Sequence, residues 1–137
     1  MAILKHISVK NRFYSSAVEY LTCQFDEYTN KPVLDEKGRI QERENYLIVG
    51  VNCDVDSFGA ECIEVNRLYG KNNSVKDVKA HHYIISFEPN DPITIEQALE
   101  FGKQWLSVFA PGHQAVVAVH PDGHNGSQNM HVHMVIN

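Results

Sequence analysis

At 137 residues, 43% hydrophobic and 21% charged, the chain can bury a core but leaves no room for two ordinary domains. A net charge of −5 by itself argues against a nucleic-acid binder, because neutralising phosphates needs Lys and Arg. No apolar run approaches the ~20 residues of a bilayer span, and Met1 to His6 carries no secretory-signal pattern.

Ile3 to Lys10 alternates, with Ile3, Lys5, Ile7 and Val9 on one side, and reads as a strand. Ser16 and Glu19 have capping-box spacing and predict a short helix carrying Ala17, Val18, Tyr20 and Leu21. Residues 24–44 are polar, with Pro32 and a Lys37-Gly38 turn signal, and read as a long loop or exposed hairpin. Tyr46 to Val51 is a short apolar strand. Phe58, Cys62, Val65 and Tyr69 then recur at helical spacing, and this stripe counts Tyr69 as buried. Gly70 ends that helix, and a basic loop follows. His82 to Phe87 is rich in strand formers. Thr94 and Gln97 form a second capping box, ahead of a helix face of Ile95, Ala98, Leu99, Gly102, Trp105, Leu106 and Phe109. Ala115 to His120 and His131 to Ile136 are apolar strands flanking a turn-rich segment. The order β α β α β α β β predicts an α+β fold: a two-layer sandwich with a largely antiparallel sheet and helices on one face.

The charge is uneven. Residues 66–82 hold Arg67, Lys71, Lys76 and Lys79 against Asp77, and residues 1–20 hold Lys5, Lys10 and Arg12 against Glu19, so a local basic face is open to the fold. Cys23, Cys53 and Cys62 form no CxxC pair. That points to a reducing compartment, and we expect a cytoplasmic protein without membrane insertion.

The eight histidines carry more information. His131 and His133 share one face of their strand, while Val132, Met134 and Ile136 take the other. His120 ends the strand that would pair with theirs, and cross-strand Cβ atoms lie only ~5 Å apart. Three imidazoles can therefore converge into a divalent-metal site with open positions. Asp122 sits two residues past His120, where it can orient a ligating ring. His6, His81 and His113 read as structural or solvated, and His124 as a loop residue.

Val119-His120-Pro121-Asp122, followed by His131-Val132-His133-Met134-Val135-Ile136-Asn137, resembles the three-histidine motif of HUH nucleases, and most closely the MobP class of conjugative and mobilisation relaxases. His82-Tyr83-Ile84-Ile85-Ser86-Phe87 is similar to that family's His-x-x-x-Ser-Phe strand, and Ala17-Val18-Glu19-Tyr20-Leu21-Thr22 to its early nucleophile helix. The resemblance implies metal ligation by His120, His131 and His133, with Mg or Mn in function and Zn, Ni or Co possible in a crystal. It implies nucleophilic attack by Tyr20 on a phosphodiester, giving a 5′-phosphotyrosyl intermediate that can be rejoined, and contact of Ser86 with DNA. The implied partners are single-stranded origin-of-transfer DNA, accessory relaxosome proteins and a coupling protein. Family members continue into further domains, so residues 1–137 are expected to be the N-terminal nuclease portion of a longer protein. Three features depart from the pattern: the longer turn after His120, the 24–44 segment and the acidic charge balance.

Periodicity alone would make Tyr20 a core aromatic, and Tyr14 competes with it as nucleophile. Tyr46 and Tyr83 read as strand packing, and Tyr28 lies in the loop. DNA contacts are expected from Ser86, His82, Arg12, Lys76 and Lys79, with Lys10 and Lys71 as further cations and Asn137 as a possible outer partner of the metal. A water-activating His-metal hydrolase, a binding module with a structural metal and a rolling-circle replication initiator are the rival readings. Placing Tyr20 before the histidines favours a relaxase over the initiator.

Overall fold

The structure is a computed structural model that describes residues 2–10, 13–26, 29, 31–43, 45–121 and 129–137. Eight elements follow in the expected order: β1 (Ile3–Val9), α1 (Ser15–Thr22), β2 (Leu47–Val51), α2 (Phe58–Leu68), β3 (Ala80–Ser86), α3 (Ile95–Phe109), β4 (Ala115–His120) and β5 (His131–Ile136). The strands form one sheet in the order β1-β3-β5-β4-β2, with every neighbouring pair antiparallel. The α+β class and the antiparallel sheet match the expectation.

The expectation of helices on one face is corrected. α3 packs against Val117, Val119, Val132 and Met134, whereas Phe58 and Cys62 of α2 and Leu21 of α1 pack against Val116, Ala118 and Val135 on the opposite face. The cause lies in β4, where consecutive apolar side chains alternate across the sheet and both faces need cover. α3 approaches closely because residue 102 is glycine: a Cβ there would lie 2.8 Å from Val132 and 2.9 Å from Val117.

The α3 capping box forms as predicted. The Gln97 amide donates to Thr94 Oγ1 at 3.1 Å, and the Thr94 amide donates to Gln97 Oε1 at 2.9 Å. At α1 the expected box is absent. The helix begins at Ser15 behind an already helical Tyr14, so Ser16 falls inside the first turn rather than at its cap. Tyr69 is also corrected. It follows the last turn of α2 and is 80% exposed. Phe109 is exposed at the end of α3, with its ring 4.9 Å from that of Trp105.

Of the two readings of 24–44, a long loop or an exposed hairpin, the described residues favour the hairpin, with isolated antiparallel bridges Cys23↔Glu42, Phe25↔Pro32 and Leu34↔Ile40. Gln24, Val33 and Gln41 bond in a ring: Gln24 N–H to Gln41 O at 2.8 Å, Gln41 N–H to Val33 O at 2.9 Å and Val33 N–H to Gln24 O at 2.9 Å. The Arg43 amide donates to Thr22 O at 2.9 Å, so the excursion leaves and returns at the C-terminal end of α1.

Candidate functional site

The register of β4 and β5 sets His120 opposite His131 and Ala118 opposite His133. The two-residue period then turns all three rings to the α1 side of the sheet. Their centroids lie 5.2 Å (His120–His131), 4.6 Å (His120–His133) and 4.8 Å (His131–His133) apart. All three residues are buried, and one ring nitrogen from each lies within 4.8 Å of the others.

The second nitrogen of each ring is already held. His120 Nε2 donates to Leu21 O at 2.7 Å, and His131 Nδ1 donates to Asn129 O at 3.0 Å. A carbonyl only accepts, so these two rings carry their protons there and present lone pairs on His120 Nδ1 and His131 Nε2. His133 Nδ1 lies 2.8 Å from His82 Nε2. His133 Nε2 is buried with no hydrogen-bond partner, a costly state for a polar atom unless something else engages it. Burial, then the neighbouring His120, His82 and His131 and the charge of Arg43, hold the His133 pKa well below its ordinary value. Burial, with a smaller effect of the Lys5 charge, lowers His82 to about 4. Both rings are therefore neutral near pH 7, the form a metal requires. The donor set fits a divalent ion that leaves coordination positions open.

α1 brings Tyr20 beside this cluster. Its ring stands edge-on to His82 and His133, 6.3 Å centroid to centroid from each, and 5.2 Å from Phe25. Tyr14 lies elsewhere in the core. Its hydroxyl donates to Lys79 O at 3.0 Å and accepts from Asn66 at 2.6 Å and Asn72 at 3.2 Å. Burial raises its pKa despite those two donors. Tyr83 packs on Trp105 on the α3 side, with centroids 4.9 Å apart. Tyr28 is outside the described residues.

Ser86 sits directly opposite His131, and its strand period puts it on the face of His82. His82 itself reaches the cluster as the partner of His133. Lys76 is exposed on the loop between α2 and β3. Lys79 does not reach the site: it is buried, and its ammonium donates to Ser74 O and to Asp77 O, the latter at 2.9 Å. Asn137 lies past the far end of β5, bonded to Gln114 and His113. Arg12, Asp122 and His124 fall outside the described residues.

Two cations near the cluster were not among the expected DNA contacts. Lys5 pairs with Ile84, which pairs with His133, so it stands in the same cross-sheet row as the cluster. The sequence signal was a lysine interrupting the Ile3, Ile7, Val9 face. Arg43, returned to α1 by the excursion, is close enough for its charge to act on His133. No local pattern announces it, because its position depends on how residues 24–44 fold back.

A family model described as "Relaxase: MobA/VirD2-like, nuclease domain" matches residues 28–137. The match begins after Tyr20. "Protein rlx" of Staphylococcus aureus is 36% identical over 88 residues, 64% of this chain and 25% of that protein. "Group II intron-interrupted relaxase LtrB" of Lactococcus lactis subsp. cremoris is 38% identical over 81 residues, 58% of this chain and 12% of that protein. The chain thus spans a quarter or less of the length of these relatives. No solved structure matches significantly.

Proposed function

The chain belongs to the MobA/VirD2-like relaxase nuclease family, and from that premise we propose that it nicks one DNA strand at an origin of transfer through Tyr20, with His120, His131 and His133 holding a divalent metal. The observation that carries this reading is the juxtaposition of three buried imidazoles, with donor atoms within 4.8 Å, and a phenol ring 6.3 Å from one of them.

A free phenol has a pKa of ~10, so only about one in a thousand is ionised at neutral pH, a deficit of ~4 kcal/mol. A divalent ion held by His120, His131 and His133, Mg or Mn in function, would supply positive charge that lowers this cost and offsets charge developing on the phosphate. Tyr20 Oη bonds to phosphorus as the P–O3′ bond breaks. The phenolic proton is lost, the departing 3′ oxygen takes one up, and the 5′ phosphate stays on Tyr20. One phosphodiester replaces another, so the step can run backward and rejoin the strand.

Ser86 donates to the phosphate, Asp122 orients a ligating histidine, and Arg12 and Lys76 contact the strand. Tyr14 is disfavoured as nucleophile, since its hydroxyl already has three partners, none of them in the histidine cluster. The whole protein is an N-terminal nuclease followed by further domains. It works in the cytoplasm with accessory relaxosome proteins and a coupling protein. Among the described residues no helix is long and apolar enough to cross a membrane.

Labelled single-stranded origin DNA, incubated with the protein and Mn²⁺ or Mg²⁺, is expected to give a species shifted on a denaturing gel. That species disappears with EDTA and in Tyr20→Phe. A Tyr20→Phe protein that still forms it overturns the assignment.

A further inference from the structure

Beside the histidine cluster, the sheet face under α1 is incompletely covered. β1 is exposed over nearly its whole length, and between it and α1 lies a slot of about 240 Å³. Its floor includes Ile7, His82 and Val135, and its roof Phe13, Ala17 and Tyr20. Among the described residues, no charged side chain lines it. Phe13 is 56% exposed, an aromatic ring left at the rim. The volume is below the ~300–1,000 Å³ of drug-sized sites and suits one flat ring system.

Two walls of this slot belong to the nuclease centre. Tyr20 stands 6.3 Å from His133, ring to ring, and His82 bonds to His133 at 2.8 Å. A phosphodiester lying between Tyr20 and the histidines therefore has its flanking nucleotides at the mouth of the slot. Lys5 precedes Ile7 by two residues and shares its face. It stands two strands from His133, ~10 Å at the usual strand spacing. Aromatic and aliphatic walls next to a lysine match the two halves of a nucleotide, an apolar ring and an anionic phosphate. We propose that the slot holds one nucleobase of the single strand, from a nucleotide flanking the cut phosphate, with Lys5 on that nucleotide's phosphate. The proposal rests on the nicking reading and extends it, because one flanking position is then read by shape.

The test uses single-stranded oligonucleotides carrying the nick position mapped by the adduct assay, each with one abasic site, and measures binding by fluorescence anisotropy in EDTA, so that cleavage plays no part. One flanking position should lose about tenfold in affinity when its base is missing, and the others less than about twofold. Ala17→Phe and Ile7→Trp fill the slot from roof and floor. Each should bind the intact strand as weakly as the wild type binds that abasic strand, with no further loss at the same position. Lys5→Ala should keep the abasic profile and lower the salt slope by about one. A flat wild-type profile overturns the slot, as do filled variants that keep the wild-type profile. The wild-type profile decides even where both variants misfold. An adduct with a flat profile sinks the slot alone. No adduct on any origin strand, despite intact metal binding, sinks the nicking reading instead.

Discussion

Two tyrosines six residues apart on one short helix have opposite surroundings, and this separates the predictions made for them. Tyr14 is a buried hub whose loss strands the donors of Asn66 and Asn72. Tyr14→Phe should cost ~1–3 kcal/mol of stability in a denaturant melt and leave adduct formation intact under native conditions. Tyr20→Phe should do the reverse. Sequence periodicity could not tell them apart, since both fit one amphipathic helix and the distinction comes from partners 52 and 58 residues away. His82 is a second case. Its strand face was legible, but its bond to His133 depends on the β3–β5 register, which no local pattern gives. A ligating imidazole is fixed by what its other nitrogen meets, and losing such a partner costs roughly 10–100-fold in metal affinity. Two of the three partners here are backbone carbonyls, so His82 is the one open to substitution. His82→Ala should weaken Mn²⁺ binding, measured by titration calorimetry, by that factor. His82→Gln, which keeps an acceptor, should recover part of it.

The elements were legible where their signals are local. The capping box of α3 and the alternation of β5 are read from adjacent residues, and both form. Thr94→Ala should therefore cost ~1 kcal/mol. What escaped depends on neighbours distant in sequence: a second covered face, the ring of bonds among Gln24, Val33 and Gln41, and the exposure of Tyr69. Gly102 illustrates the competition. In an isolated helix Gly→Ala gains up to ~1 kcal/mol, but here the added methyl meets Val117 and Val132, and overpacking costs ~1–3 kcal/mol. Packing wins, so Gly102→Ala should lower thermal stability. A rise in its melting temperature would refute this account of the helix-sheet contact.

At the scale of the whole molecule, the histidine cluster, which could hold a metal, ties β4 and β5 to α1, because His120 Nε2 bonds to Leu21 O. Metal binding should then act as folding energy. At a hundredfold excess over Kd it adds ~2.7 kcal/mol, roughly 10 °C in Tm for a domain of this size. Differential scanning calorimetry should find that rise in the wild type and lose it in His133→Ala. A negative net charge, with Lys5 in the cross-sheet row of the cluster and the Arg43 charge acting on His133, also implies weak, salt-sensitive attraction to duplex DNA and engagement through a few local contacts.

Peptide mapping of the protein-DNA adduct tests the central claim most directly. After reaction with single-stranded origin DNA and Mn²⁺, nuclease trimming and proteolysis, mass spectrometry should find a 5′-nucleotide on the peptide containing Tyr20, and only when His120, His131 and His133 are all present. A nucleotide carried by Tyr14 or another residue, or an adduct that survives loss of those histidines, would contradict it.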